Sequence, residues 1–225
     1  MKSPERTLVI MAKAPRLGSV KTRLAETIAL PAVTELYRCL LNDTIALAQA
    51  LDRVDVAIVC PASDVEDLSR AVNNAAPVVP QTGKGLAAAL TSVFAHFTNR
   101  DYQRVIAFNS DSPHLPVSIL ESAFDVLDTR DLVVGPTHDG GYYLVGAKAS
   151  HPDLFSNDGI GTASALESLL TRAHALRLSV HRTDPFYDID VAADLSQLAD
   201  ELQRIPGKAP RTAKWLSEWA SARRE

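Results

Sequence analysis

Residues 104–116 read RVIAFNSDSPHLP, and this stretch decides the fold. Val105, Ile106, Ala107 and Phe108 form an unbroken apolar run, the pattern of a strand covered on both faces of a parallel sheet. Asn109, Ser110, Asp111, Ser112 and Pro113 then turn the chain, and a helix is expected from Pro116. One carboxylate therefore stands at the carboxyl end of a buried strand, where open α/β sheets receive ligands. Asp111 is accordingly the first candidate metal ligand. Asp, Ser and Pro also suit a plain turn before a helix, and that alternative stays open.

Working outward, residues 7–12 (TLVIMA) and 54–60 (VDVAIVC) repeat the strand pattern. Between them Val33, Leu36, Tyr37, Leu40, Leu41 and Ile45 make one apolar stripe on a helix from Pro31. A short helix is expected over 64–72, a brief strand over 77–80 and a helix through Leu86, Leu90, Val93, Phe94 and Phe97. Residues 116–127 form another helix by the same spacing. The runs 131–135 and 142–146 lie too close for a crossover helix, so they must pair antiparallel. A helix over 163–175, a strand over 178–181, a loop over 184–190 and helices over 191–205 and 214–223 follow. The last helix carries Trp215 and Trp219 at i, i+4. The expected architecture is α/β: a three-layer α/β/α sandwich with a mixed, mostly parallel sheet, one domain over 1–225 with a helical extension from about 207.

The chain has 225 residues, ample for one domain with a full core. Its net charge of −4 argues against a nucleic-acid partner, and no stretch reaches the length of a membrane span. The first apolar run is too short for a signal peptide, so a cytoplasmic protein is expected. Cys39 and Cys60 lack metal-type spacing and read as buried thiols.

The second informative stretch is KAPRLGSVKTRLA, residues 13–25. Lys13, Arg16, Lys21 and Arg23 are basic, no acidic residue lies among them, and Gly18 frees the backbone. A loop of this kind leaving a strand end suits a small polyanion such as a phosphate chain, or else a solvated basic surface. The P-loop and GxGxxG spacings are both absent. Asp188 and Asp190, in PFYDIDV, are two apart and so point to one side if extended. Opposite Asp111 they would complete an oxygen shell for Mg²⁺; Asp190 could instead cap the following helix. Gly140 and Gly141 allow a close approach to the main chain, although a hairpin turn explains them too. His138 and Asp139 are candidates for acceptor contacts, and His114 sits beside Asp111. Gly83, Lys84 and Gly85 have the look of a loop at the edge of a nucleotide. No GxSxG elbow or Cys and His pair supports a covalent nucleophile.

The order KAPRLGSVKTRLA, TGKGLAAAL, FNSDSPHLP, GPTHDGGYYLVGA and DID before a helix resembles a family of bacterial glycosyltransferase-like proteins. That family belongs to the nucleotide-diphospho-sugar transferase superfamily with the GT-A fold and is similar to the phospholactate guanylyltransferases of deazaflavin cofactor synthesis. The resemblance implies a nucleotide held by Ala12, Lys13, Arg16, Gly18, Lys21, Thr22 and Arg23, with Ser110 and the Gly83, Lys84, Gly85 loop. It implies Mg²⁺ or Mn²⁺ on Asp111 with Asp188 and Asp190, and a small-molecule acceptor near His138, Asp139, Gly140, Gly141 and Tyr142. Related sequences carry a Trp and a hydroxyl residue just before the helix near Ala163, where this chain reads GIGTA.

The expected activity is nucleotidyl transfer from an NTP to a small phosphorylated or acidic acceptor, with Lys13, Lys21, Arg23 and Asp111 as the catalytic set. Displacement at phosphorus needs positioning and charge neutralisation, which these residues supply. Glycosyl transfer from an NDP-sugar, with His138 or Asp139 as base, and a non-catalytic nucleotide-binding role are the alternatives. Exposure of Trp215 and Trp219 would select a homodimer over packing within the chain.

Overall fold

Strands and helices alternate as the apolar runs require. The computed structural model describes residues 5–155 and 164–222. In chain order the strands are β1 (Arg6–Met11), β2 (Asp55–Cys60), β3 (Val78–Pro80), β4 (Arg104–Asn109), β5 (Leu132–Pro136), β6 (Tyr142–Ala147) and β7 (Val180–Arg182). The helices are α1 (Leu30–Gln49), α2 (Val65–Ala71), α3 (Gly85–Thr98), α4 (Val117–Val126), α5 (Ala165–Ala175), α6 (Ala192–Arg204) and α7 (Pro210–Ala222). The sheet order is β3-β2-β1-β4-β6-β5-β7. β6 runs antiparallel to both β4 and β5, while the other pairings are parallel, so the sheet is mixed and mostly parallel as expected.

Alternation along the strands divides the core. Leu8, Ile10, Ile58, Ile106 and Phe108 face α1, α2 and α4, whereas Val9, Val59, Val105 and Ala107 face α3 and α5. These two apolar layers on one sheet make the three-layer sandwich. The hairpin from β5 to β6 turns at Gly140, whose φ of +88° is a conformation that side chains with a Cβ resist. At Gly141 a Cβ would meet the Thr137 hydroxyl at 2.8 Å.

β7 begins two residues later than the sequence pattern suggests. Leu178 is used to close α5, its N–H donating to Ala173 O, and Ser179 is held by the Asp131 carboxylate. The expected start of α5 at Ala163, and the departure just before it, lie outside the described residues. Among the described residues no helix is long and apolar enough to cross a membrane. Cys60 is buried and Cys39 partly so, both as free thiols.

A third apolar cluster lies on the far side of α1, where Leu36 and Leu40 meet Leu195 and Leu198 of α6 and Leu216 of α7. Trp215 and Trp219 stack at 5.7 Å and are half-buried against this cluster, so α7 packs on its own chain. Its start is fixed by Asp43, whose buried carboxylate accepts the Thr212 N–H at 2.8 Å and the Thr212 hydroxyl at 2.9 Å. A carboxylate at a helix start satisfies free amides and complements the helix dipole. Asp43→Ala leaves the Thr212 donors buried without a partner, so we expect a loss of about 1–3 kcal/mol in unfolding free energy. Urea denaturation measures it, and an unchanged midpoint would show that Asp43 does not dock α7.

Candidate functional site

The sheet order places β1 and β4 side by side, although the chain passes through β2 and β3 on the other flank between them. Their carboxyl ends form a switch point of the kind that opens a crevice in α/β sheets. Met11 pairs with Asn109, so the residues that follow, Ala12 and Lys13 on one strand and Ser110 and Asp111 on the other, leave side by side. A cleft of about 640 Å³ opens there. Ala12, Lys13, Lys21, Thr22, Arg23, Gly85, Ser110, Asp111 and Asp190 line it, all from the expected site.

Lys21 sits at the centre of the charged wall. Its backbone is in the left-handed region (φ 49°), its side chain is 6% exposed, and its ammonium is paired with Asp111 and 3.0 Å from Asp190 Oδ1. Burial alone would favour the neutral amine, but the two carboxylates hold the ammonium well above its ordinary range. Arg23 reaches Asp190 Oδ2 at 3.4 Å from the solvent side. Asp190 is free for these pairings because Asp194 caps α6 instead, its Oδ2 accepting the N–H groups of Asp190 (2.7 Å) and Val191 (2.8 Å).

Ile189 is buried in the α1, α6 and α7 cluster, and Asp188 and Asp190 flank it on the side of Asp111. Asp188 is pushed up to about 7, first by burial and then by the negative charge of Asp111. Asp188 Oδ1 and Asp111 Oδ1 are both buried, with no hydrogen-bond partner among the described residues. Among the described residues no three His, Cys, Asp or Glu side chains converge to hold a metal by themselves. Two orphaned carboxylate oxygens beside a cationic pocket nonetheless fit Mg²⁺, which takes one or two protein carboxylates and completes its shell with phosphate and water.

Other candidate residues lie elsewhere. Arg16 turns away from the cleft to Asp64 Oδ1 (2.6 Å) and Asp67 Oδ2 (2.6 Å). Local sequence shows no acid in this loop, but α2 and the turn before it bring two in from about fifty positions away. Gly18 makes a turn (φ 73°) that no neighbouring atom crowds, and Gly83 and Lys84 are exposed in the turn that leads into α3. The main-chain amides at the start of the basic loop are already committed. Ala12 N–H donates to Val59 O, Lys13 N–H to the Tyr37 hydroxyl and Ala14 N–H to Asp64 Oδ2. Anion-binding capacity in this wall therefore rests on the Lys13, Lys21 and Arg23 side chains and the 19–23 segment that lines the cleft.

In the hairpin, Asp139 Oδ1 accepts the Thr137 hydroxyl (2.5 Å) and the Gly141 N–H (3.2 Å), and these with the charge of Arg23 hold its carboxyl below the usual range. Asp139 is near enough to Arg23 and Asp188 for their charges to act on one another. His138 is exposed beside it, Gly140 and Gly141 form the turn, and Tyr142 opens β6 with its hydroxyl buried. None of residues 138–142 lines the cleft.

The sequence pattern missed Tyr37 and the lining contributed by Val59, Pro61, Gln81, Leu86 and Ala89. Tyr37 looked like one more apolar stripe residue; a buried phenol still needs a polar partner, and that requirement was the available signal. His114 is fully buried, its ring 4.7 Å from Phe186 and 4.6 Å from Tyr187. It packs the Asp111 loop against the segment bearing Asp188.

A family model described as "Uncharacterized protein conserved in bacteria (DUF2064)" matches residues 44–162, slightly more than half of the chain. The chain is 26% identical to a phosphoenolpyruvate guanylyltransferase of Sphaerobacter thermophilus, covering 86% of this chain and 93% of that protein. It is 27% identical to a 2-phospho-L-lactate guanylyltransferase of Methanocaldococcus jannaschii, covering 84% and 81%. A crystal structure from Desulfovibrio desulfuricans G20, described as a "putative nucleotide-diphospho-sugar transferase", superposes with a TM-score of 0.89 at 25% identity over 96% of both chains.

Burial, and secondarily the charge of Lys208, lowers His114 from 6.5 to about 3. Between these values the unfolded chain binds a proton that the native state does not, so stability rises with pH across the window and is lost below pH 6.5. His114→Phe removes that dependence. From pH 7 to pH 4.5 its unfolding free energy should gain on the parent by about 2–3 kcal/mol. Parallel denaturation curves at the two pH values test this, and equal acid sensitivity would exclude a buried neutral imidazole.

Proposed function

The chain belongs to the DUF2064 family of proteins conserved in bacteria, and from that membership and the cleft we propose a transferase acting on a nucleoside triphosphate. In this reading it moves a nucleoside monophosphate to a small phosphorylated or acidic acceptor and releases pyrophosphate. The carrying observation is that the cleft has two unlike sides. Lys13, Lys21, Arg23, Asp111 and Asp190 make the side above β1 and β4, and Val59, Pro61, Leu86 and Ala89 make the side above β2 and the start of α3. β2 and β4 flank β1, so the two sides are about 10 Å apart, a span that suits phosphates at one end and a base at the other. The guanylyltransferase relatives support the same reading.

The chain's residues supply what displacement at phosphorus needs. Lys13, Lys21 and Arg23 offset the charge of the triphosphate, and the cleft walls hold the α-phosphate open to an acceptor oxygen while pyrophosphate leaves. Asp111, with Asp188 and Asp190, would hold Mg²⁺ or Mn²⁺. Such an ion polarises phosphoryl oxygens and neutralises the charge that develops on the leaving group. The acceptor would enter from the Asp139 side of the charged wall.

The structural neighbour supports a second reading, glycosyl transfer from an NDP-sugar. Its base would be His138 or Asp139, but neither lines the cleft, and the Thr137 hydroxyl and Gly141 N–H hold the Asp139 carboxyl below the ordinary range, which suits fixing the hairpin rather than taking a proton. Nucleotidyl transfer is therefore preferred.

A panel of nucleoside triphosphates and nucleotide sugars, with and without Mg²⁺, tests the two readings. The preferred triphosphate at a hundred times its Kd should stabilise the fold by about 2.7 kcal/mol. Adding phosphoenolpyruvate or 2-phospholactate should then release pyrophosphate from that triphosphate. A response to nucleotide sugars alone would reverse the preference. Asp111→Asn should keep the fold at a lowered melting temperature, since Lys21 loses one of its two carboxylates, and lose metal-dependent turnover; full activity would remove Asp111 from the chemistry.

A further inference from the structure

Tyr37 lies on α1, 4% exposed, with its ring in the core beneath β1 and β4. Its hydroxyl accepts the Lys13 N–H at 3.2 Å and lies 3.0 Å from the Ser110 hydroxyl. Lys13 follows β1 and Ser110 follows β4, so one phenol joins the two strand exits on the charged side of the cleft. Both Tyr37 and Ser110 line it.

We propose that Tyr37 is a positioning residue that spaces the two strand exits and directs the Ser110 hydroxyl proton onto a phosphate bound in the cleft. The inference rests on the nucleotide reading above. A phenol has one proton and two acceptor positions. The Lys13 N–H occupies one of those positions. When an anion takes the Ser110 proton, the Tyr37 proton serves Ser110 oxygen, and the chain runs Lys13 N–H to Tyr37 O–H to Ser110 O–H to anion. Burial raises Tyr37 above its ordinary range, so the proton needed for this relay stays in place. Each member polarises the next, which strengthens the terminal donor. No proton is transferred; only hydrogen-bond direction is set.

The test uses inorganic tripolyphosphate, which probes the cationic wall whatever base the protein prefers. Its Kd is measured by titration calorimetry for the parent, Tyr37→Phe, Ser110→Ala and the double variant, with melting temperatures taken without ligand. Each single variant should weaken binding about 10-fold, because a hydrogen bond to a charged group is lost or misdirected. In the double variant the loss should stay within about 2-fold of Ser110→Ala alone, since Tyr37 acts through Ser110. Losses that multiply to about 100-fold, or Tyr37→Phe binding like the parent, overturn the relay. A purely structural Tyr37 would lower the melting temperature and leave Kd unchanged. Should Tyr37→Phe not fold, Ser110→Ala decides: an unchanged Kd overturns the proposal. A parent that binds no tripolyphosphate overturns the nucleotide reading and this inference with it, whereas a parent that binds while Tyr37→Phe is unaffected overturns this inference alone.

Discussion

The Lys21 ammonium, held between Asp111 and Asp190, is the interaction on which the cleft depends. It ties together three segments that are 90 and 169 positions apart in the chain: the loop after β1, the loop after β4 and the entry to α6. Buried charges cost desolvation, and removing one partner from such a group strands the others at about 3–5 kcal/mol. The loops after β1 and β4 leave paired strands, and the shared ammonium joins the entry to α6 to both of them. Lys21 also carries a left-handed backbone conformation while its side chain is buried.

Around this charged centre the packing is layered so that each wall has its own support. Tyr37 pins the exits of β1 and β4 from below. His114, Phe186 and Tyr187 pack the Asp111 loop against the segment carrying Asp188, and the Tyr187 hydroxyl donates to Glu201 on α6. Thr137 and Phe186 form an isolated bridge that anchors the same segment to the end of β5. The acidic residues are thus carried on aromatic and backbone contacts, and the cations on a loop whose early amides are already satisfied by the protein.

Much of this is legible in the amino-acid order, because apolar runs and helical spacing report burial directly. The strand leading to Asp111, the antiparallel hairpin and the basic stretch are of that kind. What escaped are the contacts made by residues distant in the chain. Arg16 reads as a free cation until Asp64 and Asp67 are folded beside it. Asp190 reads equally as a helix cap until Asp194 takes that task. Tyr37 is indistinguishable from its aliphatic neighbours until two loops converge on its hydroxyl. Pairing partners of side chains depend on topology, and periodicity carries no record of them.

The margins of the sheet have a consequence for how copies of this protein behave together. β3 and β7 are the outermost strands, each only three residues long, and β3 ends in a proline that has no N–H to donate. An exposed ladder that short gives an incoming chain little to template on, so neither border favours strand addition, domain exchange or fibril growth.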